Sequence, residues 1–192
     1  MMKKVKLFLF GATFALVSGV MASEIGKDFV EGKIELTSGE TLEGYVAALA
    51  DYPKSNVLFK TAQNESTVSV KHQSIKSIEK NGKILIPQTI NWQGKSVNAY
   101  LEEKESGTFK LYRAHFYAPL QRGKNSASTE LQSAWVVYSP IKGWVVLGKN
   151  VKATDLNRAL THPKSDLNLT PQMVDENQLI DAVRSLNEKV KI

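Results

Sequence analysis

The chain has 192 residues, 42% of them hydrophobic, no cysteine, and 25 Lys and Arg against 19 Asp and Glu, for a formal net charge of +6. Without cysteine it has no disulfide framework, thiol nucleophile, Cys-type zinc site or lipid-modified cysteine. The basic excess is concentrated at the start: residues 1–22 hold Lys3, Lys4 and Lys6 and no acid, so the remaining 170 residues carry only +3, too little to argue for nucleic acid or a membrane surface.

Taken in chain order, Met1 to Lys6 is positive, Leu7 to Val17 is apolar, and Val20-Met21-Ala22 ends in small residues before Ser23-Glu24. A charged start, an apolar centre of about 7–15 residues and a small-residue exit describe a cleavable secretory signal peptide. The alternative is an uncleaved anchor, although the run is short against the roughly 20 residues that span lipid. Either outcome places the remaining domain outside the cytoplasm.

Gly32 to Val46 holds two alternating segments around Ser38-Gly39, which predicts a β-hairpin. A two-residue loop would set Leu42 against Glu35 and mix the faces. A three-residue loop over 37–39 pairs Ile34 with Leu42, Val30 with Val46 and Lys33 with Glu43, and puts Gly39 where a left-handed residue forms a bulge. Further on, residues 52–56 read as a turn, Val57 to Lys60 as a short strand and Ser66 to Val70 as another. Ile75 and Ile78, three apart, suit a helical turn or an irregular edge. Lys83 to Ile86 is a strand expected to stop at Pro87, which lacks a donor. Asn91 to Gly94 is a turn, Val97, Ala99 and Leu101 alternate, and Glu102 to Gly107 is expected as a charged, solvated turn.

Phe109 to Tyr117 is strand-like, with Phe109 and Leu111 on one face and Tyr112, Ala114 and Phe116 on the other. Pro119 to Glu130 is polar and predicts a surface loop. Trp135 to Tyr138 and Trp144 to Leu147 flank a Pro/Gly turn; being apolar on both faces, this hairpin is expected centrally in a sheet. The period then changes. Asp155 to Leu160 suits a short helix. Thr170-Pro171 reads as an N-cap and first position, with Asp175 and Glu176 early and Lys189 and Lys191 late in the helix that follows. Leu179, Val183, Leu186 and Val190, with Ile180 beside them, form one apolar stripe, expected against the sheet rather than a second protein.

Candidate chemistry is sparse. His72, His115 and His162 are too far apart to form a local ligand pair, and no nucleophile elbow, phosphate loop, dinucleotide fingerprint or His-Glu-x-x-His motif is present. Glu102, Glu103 and Glu105 cluster, but interleaved Lys104 and following Gly107 favour a surface turn over a catalytic carboxylate. Tyr100, Phe109, Tyr112, Phe116, Tyr117, Trp135, Tyr138 and Trp144 are expected as core and cross-strand partners rather than a glycan or peptide platform. Lys110, Arg113, Arg122 and Lys124 lie near these rings, a pattern also found on nucleic-acid surfaces, against which the export signal and weak charge argue.

Gly32 to Gly44 resembles the first hairpin of Sm-like and other small SH3-type barrels. More broadly, the chain is similar to uncharacterised secreted β-rich proteins of Bacteroidetes. The likeness rests on the signal segment, Gly32 to Val46, Asn56 to Lys60, Ile75 to Ile78, Gly107 to Arg113, the paired aromatic strands and a terminal helix ending at Asn187. Some of those proteins carry a cysteine before the tail helix, which this chain lacks. The resemblance implies no activity and transfers no functional residue.

The expected fold is α+β, a mainly antiparallel β sheet or half-barrel with a C-terminal amphipathic helix packed on it. Residues 1–22 are the signal peptide, 23–150 the β-rich domain and 151–192 a helical segment packed on the same domain. The expected role is an exported, envelope-associated binding or structural module. The alternative is an extracytoplasmic hydrolase with a dispersed site. No catalytic, cofactor-binding or metal-ligating residue is assigned. The partner is open between another envelope protein, a peptide and a glycan, with no nucleic acid and no stable membrane span after cleavage.

Overall fold

In the computed structural model, which describes residues 28–48, 56–119, 129–160 and 173–190, the first hairpin has the expected register. Strands β1 (Phe29–Leu36) and β2 (Thr41–Ala47) pair Ile34 with Leu42, Val30 with Val46 and Lys33 with Glu43. Leu36 N–H donates to Glu40 at 2.8 Å across a three-residue loop, and Gly39 at its third position has φ +88°. Lys33 and Glu43 are 3.9 Å apart and largely exposed, so their attraction adds little. The signal segment, the turn at 52–55, residues 120–128, His162 and Thr170-Pro171 lie outside the described residues.

Strands β3 (Val57–Lys60) and β4 (Val68–Val70) extend the sheet beside β2. Gly44 is required at the β2–β3 contact, since a Cβ there would run into the Lys60 carbonyl and the Phe59 ring. A 3-10 turn at His72–Ser74 then carries the chain back so that β5 (Ile75–Lys80) pairs with β1. In this half the strands are ordered β5-β1-β2-β3-β4, with the 3-10 turn between β4 and β5 in the chain.

Of the two readings of Ile75 and Ile78, the helical turn fails: they lie in an irregular strand, though one between β6 and β1 rather than at an edge. Leu36 opposes Ile75 and Glu35 opposes Ser77, so Lys76 is the extra residue of a bulge that turns both isoleucines to one face. The second expectation to fail is a stop at Pro87. Strand β6 (Lys83–Trp92) continues through it, paired with β7 (Lys95–Glu105) from Leu85 to Trp92. The β5 ladder ends at Leu85, so no β5 partner stands opposite the donor that Pro87 lacks. Two tight turns, Asn81-Gly82 and Gln93-Gly94, have positive φ at both positions and close the β5–β6 and β6–β7 hairpins. Nor do residues 102–105 form a turn: they belong to β7, and the reversal begins at Ser106.

Strands β8 (Lys110–Pro119), β9 (Thr129–Ser139) and β10 (Gly143–Gly148) complete a ten-stranded antiparallel sheet ordered β10-β9-β8-β7-β6-β5-β1-β2-β3-β4. The sheet is open, and it curls in opposite directions at its two ends. In the first half, Ile34, Val46, Phe59, Ile78 and Leu85 of one face form a core with Tyr100. In the second half the opposite face is concave: Ile90, Ala99, Leu101, Tyr112, Phe116 and Val136 pack together, and β10 returns against β6.

The convex face of that second half is covered by helices. A short ribbon of β11 (Val151–Lys152) and β12 (Met173–Val174) brackets α1 (Ala153–Leu160) and leads into α2 (Glu176–Val190). Leu156, Leu160, Leu179, Val183 and Leu186 bury against Phe109, Leu111, Trp135 and Val137, with Ile180 and Val190 at the margin. Complete burial of the three leucine and valine side chains of α2 contributes roughly 5–9 kcal/mol before entropy. This explains why β9 and β10 are apolar on both faces although β10 is an edge strand, not a central one. Helices cover one face, and the curl of the sheet buries Val136 and half-buries Val146 on the other while leaving Trp144 exposed. The helix α2 also starts later than the Thr170-Pro171 pattern suggested. Asp175 is its cap: Gln178 N–H donates to Asp175 Oδ1 at 2.8 Å and Asp175 N–H to Gln178 Oε1 at 3.0 Å.

Candidate functional site

Strand alternation divides the acidic cluster between faces. Glu102 pairs with Arg113 and Glu105 with Leu111 on the helix-bearing face, whereas Glu103 pairs with Tyr112 on the concave one. Lys104 is the extra residue of a β7 bulge, which lets Glu102 and Glu105, three apart, share a face. The aromatic residues divide likewise. Phe109 and Trp135 lie beneath the helices and Tyr100 in the first core, while Tyr112, Phe116 and Tyr138 fill the concave core, where Trp144 packs tilted against Tyr112 and edge-on to Tyr138.

On the helix-bearing face a charged belt separates the two cores. Glu102, with its side chain 12% exposed, meets Lys104 at 2.9 Å and Lys83 at 3.0 Å. His115 Nε2 lies 3.7 Å from the other carboxylate oxygen. Lys104 reaches Glu176 at the start of α2, and Glu105 pairs with Arg184 at 2.9 Å, so the belt also ties the helix to the sheet. Arg113 lies over the Trp135 ring and donates to Ser133 Oγ at 2.8 Å. Burial alone would raise the Glu102 carboxyl, but the two ammonium groups hold it below its ordinary value. Burial pushes His115 down, and the Glu102 charge only partly opposes this.

His72 is a packed histidine. Its Nε2 is 3.0 Å from the Ala99 carbonyl oxygen, its ring meets Tyr100 edge-on, and burial lowers its pKa despite that backbone bond. Tyr100 pairs with His115 across β7 and β8, so one tyrosine is adjacent to both described histidines, a proximity invisible in the sequence. Among the described residues no group of three or more His, Asp or Glu is placed to hold a metal ion, and no helix is long and apolar enough to cross a membrane.

The concave face opens differently. Register aligns Glu103, Tyr112, Val136 and Val146 in one row and Lys110, Tyr138 and Trp144 in the next. Trp144, 37% exposed, sits 5.3 Å from Tyr112 and 5.1 Å from Tyr138 between ring centroids. The Tyr112 hydroxyl donates to Glu103, and burial, reinforced by that negative charge, pushes the phenol well above its ordinary range. Here some of the aromatic residues assigned to core packing reach the surface. The signal for that lay in the sequence as Trp144 beside the Ser139-to-Gly143 turn. A separate groove of about 360 Å³ runs between β10 and α1, lined by Lys142, Val145, Leu147, Asp155, Arg158 and Ala159, with Lys142 Nζ donating to the Arg158 carbonyl. Lys110 and Arg113, also candidates for a shared basic surface, point to opposite faces; Arg122 and Lys124 lie outside the described residues.

Compared with protein-family models, with curated proteins and with solved structures, the chain matches none.

Proposed function

We propose that this chain is an exported protein of the bacterial envelope that acts as a binding or structural module. The observation that carries the binding part is the contrast between its two polar regions. The Glu102 belt is closed on itself, its carboxylate already held by Lys83 and Lys104, and it links helix to sheet. The concave end instead presents an exposed indole fixed by two tyrosines, beside an exposed carboxylate. Export rests on the first 22 residues.

Fractionation with intact-mass measurement of native material tests the address; a mature species beginning at residue 23 in the envelope fraction is the expected result. An unprocessed chain in the soluble cell interior would sink it. Crosslinking and pull-down from envelope fractions tests the binding role, with recovery of a specific partner expected. One observation favours the hydrolase reading, the approach of His115 to Glu102. Hydrolysis lost in both His115→Gln and Glu102→Gln, with melting unchanged, would replace the binding role by that one.

A further inference from the structure

We infer that the open end of the concave face, bounded by Trp144, Tyr138, Glu103, Lys110 and Ile84, is a binding site for a neutral glycan. This inference deepens the binding-module reading and rests on it. Pairing places Glu103, Lys110, Tyr138 and Trp144 on one face and at one end of the sheet, and Ile84, two residues from Ile86 of the same core, flanks Glu103. Because β10 returns against β6 on this side of the sheet, the five side chains lie on a concave face rather than a flat one.

The chemistry of that rim selects the ligand. Trp144 offers an apolar ring whose position is set by Tyr112 and Tyr138, so little ordering is needed on binding. Ile84, 55% exposed, extends the apolar surface. Glu103 accepts the Tyr112 hydroxyl, and a carboxylate has about four acceptor sites, leaving room for further hydroxyl donors. Glu103 and Lys110 carry opposite charges, and Glu79, opposite Ile84 on the same face, is paired with Lys33, so no one sign of charge dominates the rim. An acidic or a basic polymer therefore gains no complementary field there. A sugar ring suits this surface because its C–H face is apolar and its rim is a circle of hydroxyls.

Isothermal titration of residues 23–192 with maltohexaose, cellohexaose, xylohexaose and chitohexaose tests the assignment. Binding to at least one is expected, weakened about tenfold or more by Trp144→Ala, largely kept by Trp144→Phe, weakened by Glu103→Gln and unaffected by Val68→Ala on the distant β4. Should Trp144→Ala lower the melting temperature, Glu103→Gln decides, since it alters the acceptor and keeps the shape. Binding to none of the four, or equal affinity in wild type and Glu103→Gln, overturns the glycan site. If a pull-down still recovers a protein or peptide partner in that case, the binding-module reading stands without it.

Discussion

Replacing Asn187 should cost far more than its place near the end of the chain suggests. Its side chain, 5% exposed in α2, accepts the Phe109 N–H at 2.8 Å and donates to the Phe109 carbonyl at 2.9 Å and the Ser106 carbonyl at 3.2 Å. Phe109 is fully buried, so removing the amide takes two hydrogen bonds from its backbone in a place water does not reach; Ser106 is exposed and can turn to water. Losing a hydrogen bond at a buried group costs about 1–3 kcal/mol, giving about 2–6 kcal/mol for the two in Asn187→Leu, which fills the space without a polar atom. Asn187→Asp keeps the acceptor for Phe109 N–H but faces two carbonyls with oxygen, so it should lose about as much despite its matching size. Urea denaturation checks this: the midpoint should fall with an unchanged slope, against no more than about 0.5 kcal/mol for the exposed control Glu188→Ala. Gly107 adds a second readout, because a Cβ there would lie 2.5 Å from Asn187 Nδ2. The loss in Gly107→Ala should shrink in an Asn187→Ala background. Equal small losses for Leu, Asp and the control would refute the reasoning.

Gly39→Val should lower the melting temperature by more than Ser38→Ala. Open space surrounds the new side chain, so the loss, of about 1–2 kcal/mol, comes from forcing a β-branched residue to φ +88°. Leu186→Asp should unfold the tail, with loss of helical circular dichroism, because it places a carboxylate in a fully buried position. His72 and His115 both have folded pKa values below the ordinary 6.5, so the unfolded chain binds protons first on acidification. Stability is therefore retained above pH 6.5 and lost as pH falls from there through the lowered values, by at most about 1.4 kcal/mol per pH unit for each histidine. Denaturation midpoints across that window should flatten in His115→Gln, and an unchanged slope would argue against its burial as a neutral ring.

Much of the local architecture was legible because it depends on short-range physics. The loop of the first hairpin followed from side-chain parity around Gly39, the alternation of Phe109 to Phe116 named both faces of β8, and the stripe from Leu179 to Val190 named the buried side of α2. The errors share a cause. Ile75 with Ile78, and Glu102 with Glu105, are spaced three apart, which in a regular strand puts them on opposite faces. A single bulge residue, Lys76 or Lys104, reverses that, and only the partner strand shows it. Pro87 reads as a stop until it is known that the β5 ladder ends two residues earlier.

The sequence by itself determined many of the strands and turns, the tail helices and the absence of thiol chemistry, because propensity, period and composition act within a few residues. Tertiary structure alone decided that the sheet curls both ways, that β10 is an edge strand with helices on one face and an exposed Trp144 on the other, and that a cluster of three glutamates serves two separate surfaces. Those outcomes depend on which distant strands become neighbours, and a period of two assigns residues to alternate faces without saying which face is concave or what packs on it.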